Sequence, residues 1–175
     1  HCLVMTATPI PRTLALTVFG DLDVSVLDEL PPGRGTVATK VIDAEGFDTA
    51  CQFVRQRLDE GQRAYVIYPV VSAGDNQELT AAEDALHELS NGPFADYRVG
   101  LVHGQLPAEE KRRVMHAFRD GDIQLLVASV VVEVGVDVPE ANVMVVQHAE
   151  RFGLAQLHQL RGRIGRGGSD AHCLL

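Results

Sequence analysis

The sequence lacks the glycine-rich loops with which proteins bind nucleotide phosphates. It contains only two lysines, Lys40 and Lys111, and neither follows a glycine, so no GxxxxGK[ST] phosphate loop is present. A GxGxxG dinucleotide loop is also missing. No Asp-Glu pair follows an apolar strand in the arrangement that holds Mg²⁺, because Asp28-Glu29 precedes a proline-rich loop. These residues alone therefore cannot assemble a complete phosphate-loop site for nucleotide hydrolysis.

Cysteine and long apolar runs are scarce as well. Cys2, Cys51 and Cys173 have no CxxC spacing, which argues against a zinc site or a disulfide framework and favours free thiols in a reducing cytoplasm. No run approaches the about 20 apolar residues of a membrane helix, and the first residues do not form a signal-peptide pattern. The chain begins without Met, and we expect it to be part of a longer cytoplasmic protein.

Charge is unevenly distributed along the chain. The net charge of −9 argues against non-specific binding to nucleic acid, since phosphate contacts need Lys or Arg. Residues 151–175 nevertheless carry a net charge of +3, whereas residues 1–150 carry −12. The cationic segment contains Arg151, Arg161, Arg163 and Arg166. Surface solvation explains the acidic part, but it does not explain four arginines among Gly and Gln.

The order of apolar runs predicts an α/β fold. The 175 residues suffice for one such domain but not for two of typical size. Pro31–Gly35 is a loop or linker signal that separates residues 1–30 from residues 36–175. Strand-like and helix-like runs then alternate, which predicts an open, mostly parallel sheet with helices on both faces. The predicted strands are 36–42, 64–71, 99–102, 123–128, 143–147 and 171–175, and the predicted helices are 47–58, 79–89, 107–118 and 154–160. We expect the ligand-binding motifs to lie at the carboxyl ends of its strands.

The densest motif is QLHQLRGRIGRG, which begins at Gln156. Within it, Gln159, Gly162, Arg163 and Arg166 form the pattern QxxGRxxR. Arginines three residues apart lie on one face of a helix or helix-like turn, and two guanidinium groups suit a triphosphate. The alternative is a solvated basic helix end. Gly162 and Gly165 argue against it, because glycine is a poor helix former.

A second motif, ASVVVEVGVDVP, begins at Ala128 after a predicted strand. Gly135 and Asp137 interrupt its apolar residues. Asp137 suits a ribose hydroxyl or an arginine beside a nucleotide, or it caps a turn. Ser129 follows the strand directly, where backbone N–H groups of a helix N-terminus could meet a phosphate.

Two weaker signals complete the set. Thr6 and Thr8 end a short strand in MTATPIPRT, and Thr8 could simply cap the next helix. His103 and Gly104 follow another predicted strand. The glycine permits close backbone contact with a ligand, whereas a histidine at such a position is more often structural.

In this order, the four segments resemble the late motifs of superfamily-two helicases. TATP resembles motif three, VHG the phosphate-contacting segment of the second RecA-like domain, ASVVVEVGVDVP motif five and QLRGRIGRG motif six. The finer resemblance is to the RecG family, through TATPIPRTLALTVFGDLD, DELPPGR, VGLVHGQL and FGLAQLHQLRGRIGRG. The transcription-repair coupling factor Mfd shares TATPIPRT and GLAQLHQLRGR and is the alternative family. Residues 72–98 match least well, and Val130 replaces a threonine of motif five.

The resemblance implies a RecA-like fold of the phosphate-loop NTPase type without its phosphate loop. Residues 1–30 would then be the tail of a first motor domain, 31–35 a linker, and 36–175 the second motor domain, truncated before most of the translocation hairpin. The intact protein would be an ATP- and Mg²⁺-dependent helicase that remodels branched double-stranded DNA in repair and recombination. Its expected partners are the DNA backbone and the first motor and wedge domains of the same chain. We expect a monomer with no membrane association.

The resemblance also implies a role for each candidate residue. Arg163 and Arg166 would be catalytic arginine fingers, with Gly135, Asp137 and Gln159 beside the nucleotide. His103, Gly104 and Ser129 would contact the DNA backbone, and Thr6 and Thr8 would couple the ATP state to DNA. The 175-residue chain alone would be inactive. A hypothesis from another class is a non-catalytic binding module of helicase ancestry, which the acidic part favours and the intact arginines oppose.

Overall fold

The computed structural model describes Ser25 and residues 34–69, 75–129 and 137–175. The predictions for Thr6, Thr8, Val130 and Gly135 fall outside these ranges. The chain divides into two compact units, His1–Pro32 and Gly33–Leu175, and the second contains the sheet and the candidate site residues at 103–166. The assignment of the two units to two motor domains stays a prediction.

The described part forms a six-stranded sheet in the order β1-β6-β5-β2-β4-β3, with every neighbouring pair parallel. Continuous apolar runs make up the central strands, as expected where a parallel sheet is covered on both faces. The open, parallel α/β fold predicted from the sequence is therefore confirmed. The strands are β1 (Val37–Lys40), β2 (Arg63–Ile67), β3 (Val99–Val102), β4 (Leu125–Ala128), β5 (Ala141–Val146) and β6 (Ala171–Leu174).

Helices carry the chain between most of these strands. They are α1 (Phe47–Asp59), α2 (Asp75–Asn91), α3 (Ala108–Asp120) and α4 (Leu154–Arg161), with short 3₁₀ helices at Ala44–Gly46 and Ala149–Arg151. Helix α3 follows Pro107 and ends at Gly121, whose φ of 90° is left-handed and therefore suits glycine. None of the helices in the described ranges is long and apolar enough to cross a membrane.

Alternating side chains of each strand enter two separate cores, one on each face of the sheet. On β2, Ala64 and Val66 pack with α1 and α2, whereas Tyr65 and Ile67 pack with α3 and α4. Successive strand side chains point to opposite faces, so a strand covered on both sides must be apolar throughout. The prediction of helices on both faces is confirmed.

Strand ends are where the sequence-based prediction departs from the structure. The apolar run from Ala64 predicted a strand that reaches Val71, but β2 ends at Ile67, two residues before Pro69. Thr36–Ile42 predicted a seven-residue strand, yet only Val37–Lys40 pairs with β6. In both places, hydrogen bonding to the neighbouring strand continues past the regular strand, since the Tyr68 N–H donates to the Ala128 carbonyl at 2.9 Å and the Ile42 N–H to the Leu175 carbonyl at 2.7 Å.

The two described cysteines are free and buried, as the sequence suggested. Burial raises the pKa of the Cys51 thiol to about 11, and the nearby Asp48 and Glu88 raise it further. Burial likewise raises the pKa of the Cys173 thiol to about 11, against the opposing charge of Arg161. Both thiols are therefore protonated at neutral pH and behave as small apolar side chains.

Two leucines of α4 test this packing because they differ in burial by almost the full range. Leu160 is 1% exposed, whereas Leu154 is 86% exposed. We expect Leu160→Ala to lower the free energy of unfolding by about 2–5 kcal/mol, since it leaves a cavity under the helix. The matched change Leu154→Ala should cost less than about 0.5 kcal/mol. Urea denaturation of the 175-residue chain measures both, and equal losses would contradict the placement of α4.

Candidate functional site

The predicted site residues divide between the two opposite edges of the sheet. In a parallel sheet, all strands end at one edge, the carboxyl edge, and begin at the other, the amino edge. His103 and Gly104 follow β3 and Ser129 follows β4, so these three residues lie at the carboxyl edge. That placement agrees with the expectation for ligand-contacting residues of such folds.

The expectation is wrong for Asp137, Arg163 and Arg166, which lie at the amino edge. Helix α4 carries the chain back from the end of β5 to the start of β6, as every crossover between parallel strands must. Residues 162–170, here called the arginine loop, follow that helix and precede β6. Asp137 comes shortly before β5 and therefore lies at the same edge.

Backbone hydrogen bonds fix the arginine loop to the strand starts. The Gly165 N–H donates to the carbonyl of Ala141, the first residue of β5, at 3.3 Å. The Gly35 N–H, just before β1, donates to the Gly165 carbonyl at 3.0 Å. Gly165 has a φ of 72°, which L side chains rarely adopt. A Cβ at Gly167 would lie only 2.6 Å from the Pro139 carbonyl oxygen.

Arg166 is held by two acceptors at this edge. Its Nη1 donates to Asp137 Oδ1 at 3.1 Å, and its Nε donates to the Gly162 carbonyl at 3.2 Å. Helix α4 ends at Arg161, so Arg163 and Arg166 are presented by a loop and not by a helix face. Of the two interpretations of Asp137 that involve a ligand, the pairing with an arginine is the one that the structure contains.

Arg163 lies beside Arg166 without a comparable anchor. Its backbone N–H donates to the Leu160 carbonyl at 2.8 Å, and its side chain is half-buried. Within the described residues, its guanidinium has no hydrogen-bond or ion-pair partner. Gln159, two residues before the end of α4, is exposed near the start of the arginine loop. Four of the five predicted nucleotide-site and catalytic residues are thus brought to one edge, and the fifth, Gly135, is not described.

Tyr65 belongs to this neighbourhood, and the sequence did not suggest it. Burial raises the pKa of its phenol to about 12, while the positive charges of Arg166 and Arg163 oppose that rise. The Tyr65 ring packs on Phe118 at a centroid distance of 4.9 Å. In the sequence, Tyr65 is an ordinary residue of an apolar strand, so no pattern identified it.

The carboxyl edge offers less exposed side-chain chemistry than the sequence suggested. His103 is only 7% exposed, and its buried Nδ1 has no hydrogen-bond partner. Ser129 is 3% exposed, and its N–H donates to the Val102 carbonyl at 3.2 Å. Gly104 is exposed, and its carbonyl accepts from Lys111 Nζ at 2.6 Å. Among these three residues, Gly104 is therefore the one that a large ligand could contact, through its backbone.

The chemistry of the amino edge fits phosphate and not a metal ion. Guanidinium groups bind phosphate oxygens with paired N–H donors and keep their charge at all physiological pH values. Within the described ranges, no group of three or more His, Cys, Asp or Glu side chains is arranged to hold a metal ion. The residues of this edge would therefore contribute cations to a phosphorylated ligand, while Mg²⁺ would need carboxylates from elsewhere.

Several proteins of known name are similar to this chain along nearly all of its length. RecG, the ATP-dependent DNA helicase of Thermotoga maritima, is 50% identical over 173 residues, which are 99% of this chain and 22% of that protein. The Bacillus subtilis RecG is 48% identical, over 99% of this chain and 25% of its own length. The chain thus spans about a quarter or less of these relatives. The resemblance to the RecG family that the motifs predicted is confirmed.

Solved structures agree with the sequence relatives. A structure of RecG bound to a three-way DNA junction matches 97% of this chain and 22% of that one, with a TM-score of 0.80 and 48% identity. The Pyrococcus furiosus Hef helicase domain shares the fold at a TM-score of 0.53 and 22% identity, over 77% of this chain and 26% of that one. The family model described as helicase conserved C-terminal domain matches residues 45–168. Since that match covers most of the sequence, the protein belongs to the helicase conserved C-terminal domain family.

Proposed function

We propose that this chain is the second motor domain of an ATP-dependent translocase that remodels branched double-stranded DNA, such as stalled forks and Holliday junctions. The observation that carries the proposal is the pair Arg163 and Arg166 on one loop, in a sequence without a phosphate loop. Such a pair is half of a nucleotide site. The names of the relatives, ATP-dependent DNA helicases of the RecG type, and the junction in one solved RecG structure support the same function.

In this proposal, ATP is the substrate and lies between the amino edge and a first motor domain. Arg163 and Arg166 stabilise the negative charge that develops on the transferred phosphoryl group. Mg²⁺ would neutralise phosphate charge when bound, and the family resemblance implies that its ligands lie on the first motor domain. Gln159 and Gly135 complete the nucleotide side of the site.

Asp137 orients Arg166 and adds little to stability. The two side chains are 60% and 35% exposed, and ion pairs of that exposure contribute on the order of 0–1 kcal/mol. A charged hydrogen bond between them still restricts where the guanidinium points. Asp137 therefore holds Arg166 at the amino edge until phosphate oxygens replace the carboxylate as its acceptor.

DNA is proposed to bind at the carboxyl edge through its backbone, without base readout. Of the three predicted residues there, Gly104 is exposed, whereas His103 and Ser129 are buried. Ser129 and Asp137, the two ends of the motif-five segment, lie at opposite edges of the sheet. One short segment thus connects the proposed DNA edge to the proposed nucleotide edge, which is what coupling of hydrolysis to movement requires.

The remaining expectations concern the longer protein and stay proposals. They are the first motor domain and the wedge domain as partners in the same chain, a monomeric state, a cytoplasmic location, and Thr6 and Thr8 as coupling residues. A domain of the Mfd type and a non-catalytic module are the competing assignments. Substitution of Arg163 or Arg166 distinguishes a catalytic domain from a module.

We predict that Arg166→Ala or Arg163→Ala in the longer protein abolishes DNA-stimulated ATP hydrolysis but leaves ATP binding intact. Arginine fingers contribute roughly 10³–10⁵ in rate, and they act on the transition state more than on bound ATP. Steady-state phosphate release measures the turnover, and a fluorescent ATP analogue measures the binding.

Arg151→Ala is the matched control for these variants. Arg151 belongs to the same cationic segment of the sequence, but it follows β5 and lies at the carboxyl edge. Because the carboxyl edge is the proposed DNA edge, this comparison uses ATP turnover measured without DNA, which Arg151→Ala should leave unchanged and Arg166→Ala should lower. Normal turnover in Arg166→Ala would remove the basis for the proposed function.

A ribose analogue separates the two possible partners of Asp137. If Asp137 orients Arg166, Asp137→Asn should slow hydrolysis of ATP and 3′-deoxy-ATP by the same factor, about tenfold for one weakened charged hydrogen bond. If the carboxylate instead binds the ribose, the unmodified protein should prefer ATP, and the variant should lose that preference. Comparison of kcat/KM for the two nucleotides gives the answer.

The 175-residue chain by itself should not hydrolyse ATP, because it has no residues to bind the β- and γ-phosphates through a phosphate loop. Its DNA affinity should be weak or undetectable, given a net charge of −9. Phosphate release by the purified chain, and fluorescence anisotropy with a labelled three-way junction, test the two statements. ATP hydrolysis that co-purifies with the chain would refute the proposal that this chain carries only half of a nucleotide site.

A further inference from the structure

The segment that leads into β1, together with the first residue of that strand, is hydrogen-bonded to the arginine loop and to the end of α4. We call residues 34–37 the strap. Arg34 Nη2 donates to the Gly162 carbonyl at 3.0 Å, and the Gly35 N–H donates to the Gly165 carbonyl at 3.0 Å. These two bonds join residues that are about 130 positions apart in the sequence and reach the two glycines that flank Arg163.

The other end of the strap is held in the same way. Thr36 Oγ1 donates to Asp170 Oδ1 at 2.6 Å, and Arg161 Nη2 donates to the Val37 carbonyl at 2.7 Å. At Gly35, the strap lies too close to the arginine loop for a side chain, because a Cβ there would collide with the Ser169 carbonyl oxygen. Strap and arginine loop therefore form one closely packed unit at the amino edge.

Arg34 and Arg166 donate to the same carbonyl oxygen. The Gly162 oxygen accepts from Arg34 Nη2 at 3.0 Å and from Arg166 Nε at 3.2 Å. Arg34 is half-buried, whereas Arg166 is more exposed. A carbonyl has two lone pairs and can serve both donors, so the less exposed Arg34 fixes the oxygen on which the guanidinium of Arg166 rests.

We propose that Arg34 is a positioning residue for Arg166. This inference rests on the proposed function of Arg166 as a finger. Arg34 is not proposed to contact the nucleotide. It fixes the Gly162 carbonyl, which together with Asp137 determines where the guanidinium of Arg166 points.

The test uses the longer protein and measures DNA-stimulated ATP turnover. Arg34→Ala should lower kcat by about tenfold, the effect of one charged hydrogen bond, and leave KM for ATP within about twofold. Arg34→Lys, which keeps one cationic donor, should recover part of the loss. If Arg34 only stabilised the fold, Arg34→Ala would lower the midpoint of urea denaturation and the amount of active protein, not kcat per folded molecule. A lower kcat with an unchanged midpoint therefore supports positioning.

Arg98→Ala is the matched control. Arg98 Nη2 also donates to a glycine carbonyl, that of Gly121 at 3.2 Å, in a loop that does not carry the arginines. The two variants thus lose the same kind of bond in different places. Unchanged kcat in Arg98→Ala with a reduced kcat in Arg34→Ala supports positioning, and equal effects of both variants overturn it.

A double-mutant cycle then asks whether Arg34 acts through Arg166. Arg166→Lys keeps the charge but has no Nε–H for the Gly162 carbonyl. In that background, Arg34→Ala should cause no further loss, since coupled residues give non-additive effects. The same tenfold loss in both backgrounds would overturn the inference while leaving Arg166 as a finger. Normal turnover in Arg166→Ala would instead refute the proposed function itself.

Discussion

The common direction of the strands is the constraint on which the rest of this molecule depends. Every described neighbour pair in the sheet is parallel, so each connection must return the chain from the carboxyl edge to the amino edge. Residues just after a strand and residues just before one are thereby separated. The two groups of motif residues occupy these two positions, and their division between the carboxyl edge and the amino edge follows from topology before any side chain is considered.

Backbone and glycine geometry, more than ion pairs, determine the shape of the arginine loop. The Asp137–Arg166 pair is exposed and contributes little to stability. By contrast, the loop is fixed by hydrogen bonds to the strand starts and by glycines at which a Cβ would meet backbone atoms. Glycine in a motif that binds phosphate is usually explained by access for the ligand. Here, Gly35 and Gly167 also permit the close packing of the arginine loop against neighbouring backbone, which fixes the position of the loop that carries the arginines.

The sequence predicted the fold well because its signals are local. Apolar runs and turn residues located all six described strands and all four helices. The motifs also identified Arg163, Arg166 and Asp137 as candidates. Their predicted edge was wrong, because Arg163 and Arg166 follow a helix that returns the chain to the amino edge and Asp137 precedes a strand. No local pattern identified Tyr65 or Arg34. Their surroundings form only in the folded chain, and neither an apolar strand nor a linker sequence indicates such contacts.

The uneven charge of the sequence has a different meaning in three dimensions. Arg151, Arg161, Arg163 and Arg166 form one cationic segment by position, yet Arg151 lies at the carboxyl edge and the other three at or near the amino edge. The four arginines therefore do not form one cationic cluster in the folded chain. If the proposed function is correct, the pair on the arginine loop is the part of this segment that would face the nucleotide.

The size of the sheet limits how its two edges can communicate. Strands of four to six residues, at a rise of about 3.3 Å each, separate the edges by roughly 13–20 Å. Solvent-exposed charges at that distance are largely screened, because the Debye length at physiological salt is about 8 Å. If the arginine loop binds phosphate as proposed, an exposed charge there would have little direct electrostatic effect at the carboxyl edge. The proposed coupling of the two edges would then depend on movement of the chain between them more than on the charge of the ligand.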